Sequence, residues 1–126
     1  MRPSTLAYAA TVAFALVAFA TEALASPAEG QVFITRLRQA ATQPDASALA
    51  DLTQLPFLFE GRMHGREAFI ARVVPALFTP AVRQCLQRAR PQAEGDRLVL
   101  WCKPYAFYAG PVQGRWRLIE FGVDAE

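Results

Sequence analysis

The chain has 126 residues, 53% of them hydrophobic and 19% charged, and its 13 basic and 11 acidic side chains leave a formal charge of +2. That balance excludes a disordered polyelectrolyte and gives no strong electrostatic footprint for nucleic acid. One histidine and two cysteines are too few for a multi-histidine or cysteine-rich metal centre.

Residues 1–25 read as a secretory signal peptide. Arg2 supplies a positive start, residues 6–20 an apolar run, and Ala23-Leu24-Ala25 an A-x-A site that places cleavage after Ala25. The competing reading is an uncleaved anchor, but the run stops at Thr21-Glu22, short of the about 20 apolar residues a spanning helix needs. Cleavage leaves no stable membrane anchor. No cysteine lies near the junction for lipid attachment, and no arginine pair precedes the apolar run. The expected location is therefore periplasmic or secreted. Residues 26–126 form one domain, with no repeat or long linker to justify a second.

Ser26-Pro27-Ala28-Glu29 has the layout of a capping box, and behind it Phe33, Ile34, Leu37, Ala40 and Ala41 share one helical face up to Gln43-Pro44. A second short helix starts at Asp45 and carries Leu49 and Leu52 inward. Residues 55–61 break that period, and their aromatics suit a short strand ending in a turn. From Glu67 the stripe Phe69, Ile70, Val73, Val74, Leu77 and Phe78 restores the helix, with Pro75 either kinking or ending it. Thr79-Pro80 caps a further helix carrying Val82, Cys85, Leu86 and Ala89, but alternation at Val82, Gln84 and Leu86 equally permits a strand. Residues 97–102, 105–109 and 115–123 are strands, separated by Lys103-Pro104 and a turn over residues 110–114.

In an oxidising compartment the pair Cys85 and Cys102 forms a disulfide, which stabilises a domain of this size by about 3 kcal/mol in the chain-entropy model. No cofactor is expected. The mature serines, Ser26 and Ser47, read as helix-start residues, not nucleophiles. Neither Gly61 nor Gly65 opens a phosphate loop.

The N-terminal helices, the Phe59-Glu60-Gly61 turn, Gly65-Arg66-Glu67-Ala68-Phe69 opening a helix, and a terminal hairpin with Gly114-Arg115-Trp116-Arg117-Leu118 resemble the NTF2-like (SnoaL-like) superfamily. The resemblance spans most of residues 28–123. It implies an α+β cone in which N-terminal helices pack on a curved antiparallel sheet, with any ligand in the cone's mouth. The family includes isomerases, dehydratases, ligand binders and interaction modules, so fold alone does not select an activity.

Two functions from different classes follow. The first is a non-catalytic binding or protein-interaction module with an apolar small-molecule or protein partner. Its ligand or interface candidates are Phe57, Phe59, Trp101, Tyr105, Phe107 and Trp116, aromatics of the kind that dominate interfaces and permit homodimers. The main argument for it is the last strand, where alternation sets Trp116, Leu118 and Glu120 against Arg117, Ile119 and Phe121. Neither face is cleanly apolar, as if one were covered by helices and the other by a ligand or partner. The second function is a small acid–base enzyme on an apolar substrate, with His64, Glu60 or Glu120, and Tyr105 or Tyr108 as its groups. Arg83, Arg88, Arg90 and Arg97 form a candidate basic patch whose default reading is a solvated surface.

Overall fold

The computed structural model describes residues 13, 27–43 and 45–124; the expected signal peptide (apart from residue 13) with its cleavage point, the expected Ser26 cap, and Pro44 lie outside the described residues. The first helix, α1 (Pro27–Thr42), buries Phe33, Ile34, Leu37, Ala40 and Ala41, the i, i+1, i+4, i+7, i+8 stripe of an amphipathic helix. Asp45 then caps α2 (Ala46–Asp51) by accepting a hydrogen bond from the Ala48 N–H at 3.1 Å. Leu49 is fully buried and Leu52, one residue past the helix, is half-buried.

A hairpin follows, β1 (Phe57–Phe59) paired antiparallel with β2 (Arg62–His64). Its two-residue turn has positive φ at both Glu60 (50°) and Gly61 (75°), the type I′ pattern that matches the twist of paired strands. Next, α3 (Arg66–Ala68), a π-turn (Phe69–Val73) and α4 (Val74–Leu77) run on as one helix. Pro75 accounts for the π-turn. A proline has no N–H for the carbonyl of Ala71, and its ring crowds that oxygen; lengthening the turn, with the Val74 N–H bonded to the Phe69 carbonyl, relieves the clash without ending the helix.

The chain turns by 82° into α5 (Pro80–Arg88). Helix replaces the strand alternative here because Thr79 accepts from the Val82 N–H at 3.3 Å and Pro80 presets the first helical φ. Its far end is held by Arg38 of α1, which donates to the carbonyls of Leu86 (2.9 Å) and Ala89 (2.6 Å), a cation at the negative end of a helix.

The remaining chain is an antiparallel four-stranded sheet in sequential order, β3 (Gln92–Glu94), β4 (Arg97–Cys102), β5 (Tyr105–Val112) and β6 (Arg115–Val123). The helices cover its inner face, and the Cys85–Cys102 disulfide ties α5 to β4. The fold is thus α+β with one disulfide, a bond compatible with an oxidising compartment.

Two strand expectations need correction. The turn expected over residues 110–114 is only Gln113-Gly114 (φ 50° and 77°), because Gly110, Pro111 and Val112 continue β5 and pair with Arg117, Trp116 and Arg115. The alternation expected in β6 is broken by a bulge. Tyr108 pairs with Glu120 and Ala109 with Leu118, which leaves Ile119 unpaired. Beyond this extra residue the phase inverts. Trp116, Leu118 and Phe121 consequently all join the core side, Phe121 lying 5.9 Å from Phe57 and 5.5 Å from Phe59 between ring centroids. Glu120 points to the other face. The mixed pattern of β6 therefore has a structural cause and does not require a partner over the second face.

Residues 52–54 run alongside β6 at the bulge: the Gln54 N–H donates to the Leu118 carbonyl (2.8 Å) and the Leu118 N–H to that of Leu52 (2.7 Å). This contact occupies main-chain groups that an edge strand would otherwise expose. It also brings α2, α1 and the β5–β6 turn together.

Candidate ligand-binding cleft

Where those elements meet is a cleft of about 370 Å³ lined by α1, the end of α2 and the start of β6, within the about 300–1,000 Å³ of small-molecule sites. Val32, Phe33, Leu52 and Trp116 give it an apolar surface. Val32 lies beside the buried stripe of α1 and is 51% exposed. Trp116 packs on Phe33 (centroids 6.3 Å apart) and over Gly30, whose missing side chain is what admits the indole: a β-carbon there would stand 3.1 Å from the ring and 2.9 Å from Leu98. The indole Nε1–H is buried and has no acceptor among the described residues.

Charged groups border this apolar surface. Arg36, Arg115 and Arg117 stand with Glu29 and Asp51. Asp51 is engaged twice, its carboxylate by Arg66 at 2.6 Å and its carbonyl by Arg117 at 2.9 Å. Sequence reasoning picked out Trp116 but none of the arginines. The available signals were Val32, an apolar residue on the solvent side of the helical stripe, and the Arg115-Trp116-Arg117 run.

The residues proposed for acid–base chemistry divide between places. His64 and Glu60 share a hollow of about 250 Å³ with Phe59, Arg62, Arg72 and Ala76 under the β1–β2 hairpin. His64 is only 7% exposed and meets Phe59 edge-on. Its Nδ1 lies 3.0 Å from the Arg62 carbonyl oxygen. A carbonyl can only accept, so Nδ1 is the donor here, and the neutral form of this ring has its lone pair on Nε2. Tyr105 sits on the inner face against Phe107 and Phe121. Glu120 is on the outer face, bonded to Arg97 at 2.7 Å, and this hydrogen bond raises the Arg97 guanidinium above its ordinary pKa. The sheet separates it from His64.

The aromatic candidates divide as well. Phe57 and Phe107 are core residues with no surface to offer, and Phe59 is nearly so. Trp101 is 42% exposed on the outer face, whereas Trp116 and Tyr105 belong to the inner side, so they do not form one common interface. Tyr108 also lies outward, with the Arg97 guanidinium 4.7 Å from its ring centroid and Gly122 beneath it. Ile119 and Arg97 cover Gly110. The outer face is thus largely covered by its own side chains. The pairing of Arg97 with Glu94 and Glu120 also removes one charge from the expected basic patch. Among the described residues no three His, Cys, Asp or Glu side chains cluster in a way that could hold a metal ion.

No protein-family model, no curated protein and no solved structure matches this chain.

Proposed function

We propose that residues 26–126 are an exported, non-catalytic binding module of NTF2-like type that holds a small ligand in the cleft between α1 and β6. The observation that carries this reading is the open apolar surface at Trp116, set beside charged side chains. Export is supported by the leader pattern of residues 1–25 and by the disulfide. The NTF2-like relationship is supported by three pieces in the expected order: N-terminal helices, the Glu60-Gly61 turn before a helix starting after Gly65, and the hairpin across Gly114. The ligand position follows from the cleft, not from a closed cone.

Native mass spectrometry of the protein purified from its envelope fraction tests this. The expected result is a chain beginning at Ser26 that carries an added small-molecule mass, and that loses it on Trp116→Ala. A bare chain with and without the substitution would contradict it.

A second reading has one observation in its favour: a His64 tautomer fixed with Nε2 as base, in a hollow shared with Glu60. It is an acid–base enzyme for an apolar substrate, and it requires His64→Gln to abolish turnover while the fold survives.

A further inference from the structure

The charges around the cleft do not cancel. Three arginines, Arg36, Arg115 and Arg117, face two carboxylates, Glu29 and Asp51; Asp51 is paired with Arg66 across 2.6 Å, Arg117 is anchored on the Asp51 carbonyl, and Glu29 is engaged as well. Arg36 and Arg115 have neither an ion pair nor a hydrogen bond to any described residue, although each borders the cleft. A guanidinium keeps its charge at every physiological pH and offers forked donors that match a carboxylate. The cleft thus combines an indole, Phe33, Val32 and Leu52 with two uncommitted cations.

From this combination we infer that the ligand is a small amphipathic carboxylate, its aliphatic or aromatic body laid on Trp116 and its head held by Arg36 and Arg115. The inference rests on the binding reading above and adds the ligand's chemical class. A neutral apolar molecule would leave the cations without a role and gain nothing from them. A cation would meet like charge at the entrance. A monoanionic carboxylate suits the site better than a dianionic phosphate head, because desolvating the denser charge beside an apolar wall costs more.

The test uses the whole mature domain carrying Trp101→Phe, which leaves Trp116 as its single tryptophan. Its fluorescence is titrated with decanoate, decanol and decylamine, three probes of one chain length and different heads. Decanoate should bind at least tenfold more tightly than decanol, and decylamine should not bind. Arg36→Gln and Arg115→Gln should each weaken decanoate about tenfold, the scale of a lost charge-assisted hydrogen bond, and leave decanol unchanged. Near-ultraviolet circular dichroism verifies that both variants fold. Equal binding of decanol and decanoate, indifferent to both substitutions, overturns the carboxylate assignment while leaving a binding cleft. Failure of all three probes to perturb Trp116 overturns the assignment and the cleft reading together.

Discussion

The cleft beside α1 and the hollow under the β1–β2 hairpin are both bordered by arginine, and they differ in what lies against them. Beside α1 it is the Trp116 indole, with Phe33, Val32 and Leu52; under the β1–β2 hairpin it is His64 and Phe59, with Glu60 in the turn above. The histidine stands in the smaller hollow, whereas the carboxylates of the larger one, Glu29 and Asp51, are already engaged. The contrast teaches that side-chain chemistry and binding capacity need not coincide. His64 is explained by the hairpin, where its Nδ1–H ties back to Arg62 and its ring meets Phe59. Trp116 has no comparable partner for its N–H.

Breaking the larger site should have the greatest effect. Trp116→Ala removes the ring packed on Phe33 and Gly30, abolishes ligand binding and costs about 3 kcal/mol of stability in urea denaturation, as for other large-to-small changes at packed aromatics. Gly30→Ala attacks the same place from below. Its methyl would meet the indole at 3.1 Å and Leu98 at 2.9 Å, so it should cost about 2 kcal/mol by overpacking and change the near-ultraviolet dichroism of the indole. A silent Gly30→Ala would show that Trp116 is not held where described.

Changes at the smaller hollow sharpen the contrast. His64→Ala loses one hydrogen bond and an aromatic contact, so about 1–2 kcal/mol of stability should go while decanoate affinity stays at the wild-type value. Loss of decanoate binding there would mean that the hollows are not independent. Glu60→Asn is the mildest change. Glu60 has φ of 50°, a left-handed conformation that asparagine tolerates better, so the substitution should stabilise the fold by about 0.5–1 kcal/mol in the same denaturation assay. Destabilisation instead would mean that the Glu60 carboxylate makes a contribution beyond the turn.

Much of the fold is legible where the sequence carries strong periodicity or a cap. The buried stripe of α1, the helix start at Asp45 and the strand over Arg97–Cys102 follow directly from residue types, whereas the segment after Thr79 reads equally as helix or strand until its cap is seen. The elements that escape are those made by main-chain pairing alone. Every residue of β3 is exposed, and β2 buries only His64, so neither strand has an apolar pattern to read. Gly110-Pro111 carries the composition of a turn and yet continues a strand, because the I′ turn is built by Gln113-Gly114 instead. The bulge at Ile119 is the most instructive case. One unpaired residue moves Phe121 into the core and Glu120 out to Arg97, and a strict period of two along β6 cannot represent that shift. Half of the candidate site was visible in the same way: Trp116 stands out as an aromatic in a strand, but Arg36 and Val32 reach it only through the packing of α1 on β6.

The most direct measurement is a two-dimensional NMR titration of residues 26–126 with decanoate, following the indole N–H signals of Trp101 and Trp116. The account predicts a saturable shift of the Trp116 signal with that of Trp101 unmoved. A shift confined to Trp101 would place binding on the outer face of the sheet, and it would contradict the claim that the cleft beside α1 is the functional site.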